Sequence, residues 1–107
     1  MKKEILTELR DRFNCKDVDL DKHAGLYSDL YEALENTNLI DYKYLEHLNK
    51  EGGYYMLDNP QELSLKECGT ALTFILRADR FCEGAFYMAI KDGSIYKTLC
   101  RACELAN

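Results

Sequence analysis

The chain has 107 residues, of which 47% are hydrophobic and 31% charged. That balance belongs to one folded domain and excludes a disordered tail, a collagen-like repeat and a small disulfide-stapled peptide. The net charge is -5, from 14 basic and 19 acidic residues, so no chain-wide basic surface exists to hold a phosphate backbone and a nucleic-acid partner is not expected.

Ile5, Leu6, Leu9 and Phe13 recur at spacings of three and four with Glu4, Glu8, Arg10, Asp11 and Arg12 opposite, which predicts an amphipathic first helix ending near Asn14 and Cys15. Its stripe must be buried, against the core or against a second copy, and a dimer is the expectation. Asp21 is a plausible cap for a second helix carrying Leu26, Tyr27, Leu30, Tyr31 and Leu34 on one side; Gly25 weakens its start. After the Asn36-Thr37-Asn38 break, Asp41 caps a short helix whose Tyr44, Leu45 and Leu48 face one way, and Gly52-Gly53 stops it. Residues 54–60 read as a loop packed down by its aromatic residues.

Ser64-Leu65-Lys66-Glu67 has the spacing of a capping box. It opens a central buried helix with Leu65, Cys68, Ala71, Leu72, Phe74, Ile75 and Leu76. Ala85, Phe86, Met88, Ala89 and Ile90 form the apolar face of the next, closed by Asp92-Gly93, where glycine suits a left-handed residue. Ser94 is the expected cap of a last helix with Ile95, Leu99, Ala102 and Leu105 along one side. The whole predicts a single all-α domain over residues 1–107, a compact bundle of five to six short helices without a sheet.

From about Asp29 to Leu105 the chain resembles the small, mostly bacterial proteins of domain-of-unknown-function family 6508. The likeness lies in Asp29-Leu30-Tyr31-Glu32, the Asp41-Tyr42 step, the Asp58-Asn59-Pro60 turn and above all residues 72–84, with their Arg77-x-x-Arg80-Phe81-x-x-Gly84 core. Ala89-Ile90 and Gly93-Ser94-Ile95 continue the pattern. Relatives tend to carry tryptophan where this chain has Tyr42 and Tyr44. The resemblance implies an all-α fold and points to one motif; it implies no reaction.

Cysteines number five, an odd count. No apolar leader follows Met1, because Glu4, Glu8 and Asp11 interrupt it, and the longest nearly apolar run, Ala71 to Leu76, falls far short of the roughly 20 residues a membrane span needs. The expectation is a cytoplasmic protein with free thiols and no membrane association. Cys100-Arg101-Ala102-Cys103 has the spacing of zinc and redox sites, but no second close pair accompanies it, so no metal or cofactor is expected. His23 and His47 stand at no ligand spacing, no nucleophile elbow surrounds Ser28, Ser64 or Ser94, and Gly52-Gly53 lacks the residues of a phosphate loop.

Two constellations remain. Six of the eight tyrosines fall between Tyr27 and Tyr55, in the acidic part of the chain: residues 1–63 hold 8 basic and 14 acidic side chains against 6 and 5 in 64–107. Tyrosine supplies area and a polar tip, so Tyr27, Tyr31, Tyr42, Tyr44, Tyr54 and Tyr55 mark a surface for a protein partner or for self-association. Arg77 and Arg80, one helical turn apart before Glu83 and Gly84, either lock a helix corner or hold a small anion against the next helix's free N–H groups, with Gly84 placed where a side chain would crowd the contact. The first choice is a non-enzymatic interaction or regulatory module. The alternative is a small-anion or nucleotide-binding protein, an enzyme included, built on Arg77, Arg80 and Glu83.

Overall fold

The computed structural model describes residues 2–14, 20–46, 60–78 and 84–106, with residues 20–24 given by their backbone. In chain order the helices are α1 (Lys2–Phe13), α2 (Leu20–Asn36), α3 (Leu65–Ala78), α4 (Ala85–Lys91) and α5 (Ser94–Leu105), with a 3-10 turn over Pro60–Glu62 before α3. Residues 44–46 add one helical turn, and no strand occurs among the described residues. The all-α bundle predicted from hydrophobic periodicity is therefore the fold.

α3 begins where the capping box places it. The Ser64 N–H donates to Glu67 Oε1 at 2.9 Å and the Glu67 N–H to Ser64 Oγ at 3.2 Å, so two of the helix's free donors are satisfied by side chains. Cys68, Ala71, Leu72, Ile75 and Leu76 of α3 are buried among Leu30 and Leu34 of α2, Phe86 and Ile90 of α4, and Ile95, Leu99 and Ala102 of α5. Tyr27 enters this core from α2: its ring meets Phe86 edge-on at 5.2 Å and its hydroxyl donates to the Leu76 carbonyl at 3.1 Å.

α1 lies along α5 and α2. Leu6, Leu9 and Phe13 are buried there, and Phe13 meets Phe86 edge-on at 6.1 Å. Each such side chain, fully buried, contributes about 1.5–3 kcal/mol. The stripe that argued for a dimer thus finds its burial inside one chain, and that argument lapses.

Helix boundaries differ from expectation at two places. α2 starts at Leu20, so Asp21 lies inside the helix and does not precede it. α5 is preceded by Gly93, at φ 83°, and Ser94 is its first helical residue. The side chain that meets the first free N–H is Asp92, whose Oδ1 accepts from the Ser94 N–H at 2.8 Å and also from its hydroxyl. Ser94, being inside the helix, cannot cap it, and the Asp92 carboxylate also opposes the positive end of the dipole.

α2 ends in a Schellman motif. The Leu39 N–H bonds the Leu34 carbonyl at 2.8 Å and the Asn38 N–H that of Glu35 at 3.1 Å, with Asn38 left-handed at φ 60°. The reversal throws Leu39 across α3 so closely that a Cβ on Gly69 would sit well inside contact distance of the Leu39 carbonyl oxygen. Gly69→Ala gains about 1 kcal/mol of helix propensity but overpacks backbone against backbone, at a cost of about 1–3 kcal/mol. The expected net is a loss, with Tm falling about 4–8 °C for each kcal/mol. Gly25→Ala, on an exposed face of α2 where a Cβ meets nothing within 4 Å, should instead raise Tm. Thermal denaturation followed by circular dichroism checks both.

Candidate functional site

The crossing at Gly69 delivers Asp41 to two threonines of α3. Thr70 Oγ1 donates to Asp41 Oδ2 at 2.6 Å, with the Lys66 carbonyl a second, longer acceptor for the same proton at 3.2 Å. Thr73 Oγ1 accepts from the Asp41 N–H at 3.1 Å and donates to the Gly69 carbonyl at 2.7 Å. Asp41 Oδ1 accepts from the Lys43 N–H at 2.9 Å, so the residue read as a helix cap is also the bolt that fixes this turn to the core. The clue in the sequence was Gly69-Thr70 with Thr73, weak helix formers inside an otherwise apolar helix.

From this bolt the chain presents an aromatic face. Tyr42 is 75% and Leu45 58% exposed, while Tyr44 turns inward until its ring lies 6.2 Å from that of Phe74. Leu45 therefore does not share the buried side of its turn with Tyr44, as the spacing had predicted, and Leu48 lies outside the described residues. Phe74 continues the face into a groove of about 190 Å³ between α3 and α4, lined also by Ile75, Ala78, Ala85 and Met88. Met88, predicted to be core, is 59% exposed on its rim.

Tyr31 of α2 is half-buried. A hydrogen bond with Glu35 and that carboxylate's charge push its phenol above the ordinary tyrosine range, and Tyr42 and Arg77 are among its electrostatic neighbours. Tyr42 and Tyr44 sit together on the turn that Asp41 fixes, whereas Tyr27 belongs to the core. Tyr54, Tyr55, Arg80, Phe81 and Glu83 lie outside the described residues.

Of the predicted anion corner, Arg77 is half-buried near the end of α3 and Gly84 stands just before α4 at φ 88°. A Cβ there would meet nothing within 4 Å. The left-handed backbone by itself favours glycine here; the Arg80 contact that Gly84 was expected to leave room for lies outside the described residues.

The described thiols are unpaired. Burial, the largest cause, pushes Cys68 from an ordinary 9.0 to about 12. Among the described residues no group of three or more His, Cys, Asp and Glu side chains is placed to hold a metal, and no helix is long and apolar enough to cross a membrane.

Fold and face together define a small all-α protein with an aromatic patch pinned to its central helix. The family model described as a family of unknown function (DUF6508) matches residues 20–107, and the chain belongs to that family. The match opens at the first residue of α2, ahead of the Asp29 at which the resemblance was first legible, and leaves α1 outside it. No curated protein and no solved structure matches the chain.

Two outcomes follow from this geometry. Asp41→Ala removes a charge-assisted bond and the support of the Lys43 N–H, and should destabilise the fold by about 1–3 kcal/mol. Urea denaturation followed by circular dichroism measures the loss. Cys68 stays protonated in the fold above pH 9 while the unfolded chain ionises, so its contribution is intact below pH 9 and lost as pH rises toward 12. The decline is at most about 1.4 kcal/mol per pH unit. Cys68→Ala should flatten it, as urea denaturation across that range would reveal.

Proposed function

We propose that this chain is a non-enzymatic, cytoplasmic module of a bacterial protein system that binds a protein partner through the face of Tyr31, Tyr42, Tyr44, Leu45, Arg77 and Met88, acting as a regulator or accessory factor. The observation that carries the reading is the grouping of the exposed apolar side chains. Tyr42, Leu45 and Met88 are strongly exposed; Tyr42 and Leu45 flank Tyr44 in the chain, the Tyr44 ring meets Phe74, and Phe74 and Met88 line one groove. Tyrosine, methionine and arginine are the residue types enriched at the centres of protein interfaces, and apolar side chains clustered in this way mark binding surfaces.

The chemistry suits a partner segment that seats an apolar side chain in the groove and offers a carboxylate to Arg77. The site's rigidity supports the same reading. Asp41, Thr70 and Thr73 hold the tyrosine-bearing turn, so little conformational entropy remains to be lost on binding.

The test is capture from the native host with tagged wild-type chain and a Tyr42→Ser, Met88→Glu variant, followed by direct titration of the captured protein. Both substitutions lie at exposed positions and should leave the circular dichroism unchanged. A partner bound by wild type and weakened at least about tenfold in the variant, a loss of about 1.4 kcal/mol, is the expected result. Equal binding by both removes the reading. If instead phosphate raises Tm in wild type but not in a folded Arg77→Ala, Arg80→Ala variant, the small-anion alternative takes its place.

A further inference from the structure

The groove between α3 and α4 is apolar along its length and ends in a charge. α4 lines it with Ala85, Met88 and Ala89, and Asp92, just past the helix, continues the same stripe. Phe74, Ile75 and Ala78 of α3 form the facing wall. Alanines on both sides keep the channel slim, and from Ala85 to Asp92 it runs roughly 10 Å along the helix axis. Asp92 and Ser94 are the polar members of its lining.

The carboxylate at that end is half used. Asp92 Oδ1 accepts from the Ser94 N–H at 2.8 Å and from the Ser94 hydroxyl, while Oδ2 has no partner among the described residues. Lys91, its neighbour in the chain, is engaged elsewhere: its Nζ lies over the Tyr87 ring, 5.4 Å from the centroid. Tyr87 and Lys91 are four apart and occupy a different side of α4 from the groove stripe. An occupant therefore meets apolar walls first and an exposed negative oxygen last, on a chain whose net charge is -5.

These features select the form of the occupant. A slim, unbranched stem suits the alanine-lined walls, and a cation suits the carboxylate. Lysine carries both, since its methylenes bury readily while its head stays near water. A guanidinium reads a carboxylate with a fork that takes both oxygens, and here the cap has already claimed one. A compact ammonium needs a single oxygen and has protons left for the Ser94 hydroxyl oxygen and for water.

We propose that the groove is a lysine pocket, in which a side chain of the protein partner lays its methylenes between Phe74, Ala78, Ala85 and Met88 and sets its ammonium on Asp92 Oδ2. The proposal rests on the interaction reading above for the source of that side chain. It makes the apolar part seated in the groove the stem of a lysine.

The test uses n-pentylammonium in place of the lysine, with n-pentanol and pentanoate as the same kind of stem under a neutral and a negative head. Each is titrated into the full chain labelled with 13C at the methionine methyls, the Met88 signal being assigned by its loss in Met88→Leu. n-Pentylammonium should move that signal saturably and bind about two- to fivefold more tightly than n-pentanol, the range of an ion pair near solvent, with pentanoate weakest. Asp92→Asn and Asp92→Ser each keep an acceptor for the helix cap and should erase the preference. Glu104→Gln, which removes an exposed charge elsewhere, should leave it intact. Equal binding of n-pentylammonium and n-pentanol, or a preference retained in both Asp92 variants, overturns the lysine pocket even if a partner is captured. A preference that holds while no partner is captured upholds the recognition of the ammonium and counts against the interaction reading alone.

Discussion

The Leu39 carbonyl lies against α3 at a distance that only a glycine permits. Everything that distinguishes this bundle from a generic stack of helices depends on that approach. Without it the segment after α2 would ride over a side chain at position 69, and Asp41 would be lifted away from Thr70 and Thr73. With it, two hydroxyl donors, Thr70 and Thr73, and two backbone N–H donors, Asp41 and Lys43, close in a small, partly buried network. In such surroundings each satisfied bond is strong and each broken one is expensive. The aromatic face inherits its order from this network, since Tyr42, Tyr44 and Leu45 follow Asp41 directly in the chain.

What was legible in the sequence was what repeats. The stripes of α1, α2, α3 and α5 follow the helical period over many residues, so solvent and core select one orientation with little ambiguity. The Ser64–Glu67 box was readable because both partners are three residues apart. The Asp92 cap was missed because a serine at Ser94 fits the same rule, and only geometry decides which oxygen reaches the N–H. Met88 and Leu45 were misplaced for a related reason. A seven-residue helix and a single turn offer too few periods to tell a buried side from an exposed one.

The site was legible only in its composition. Tyrosine enrichment pointed to Tyr31, Tyr42 and Tyr44, but Tyr27 has the same composition and serves the core, its hydroxyl spent on the Leu76 carbonyl. Nothing local to Phe74 or Met88 announced that they border one groove, because that meeting is made by α3 and α4 crossing. Gly69 is the sharpest case. Within a helix it reads as a mere weakness, and the carbonyl that requires it lies thirty positions away in sequence.

The antiparallel seam of α1 and α5 also fixes how the molecule bears tension. Lys2 and Leu105 lie toward the same end of that pair, so a pull applied through them acts across the seam and not along it. The interface then separates one turn at a time, beginning at the open end and reaching Phe13 last. This unzipping geometry resists far less force than shearing two helices past each other would. An attachment through both ends makes α1 the first element to leave, with the turn after α2 still seated on Gly69.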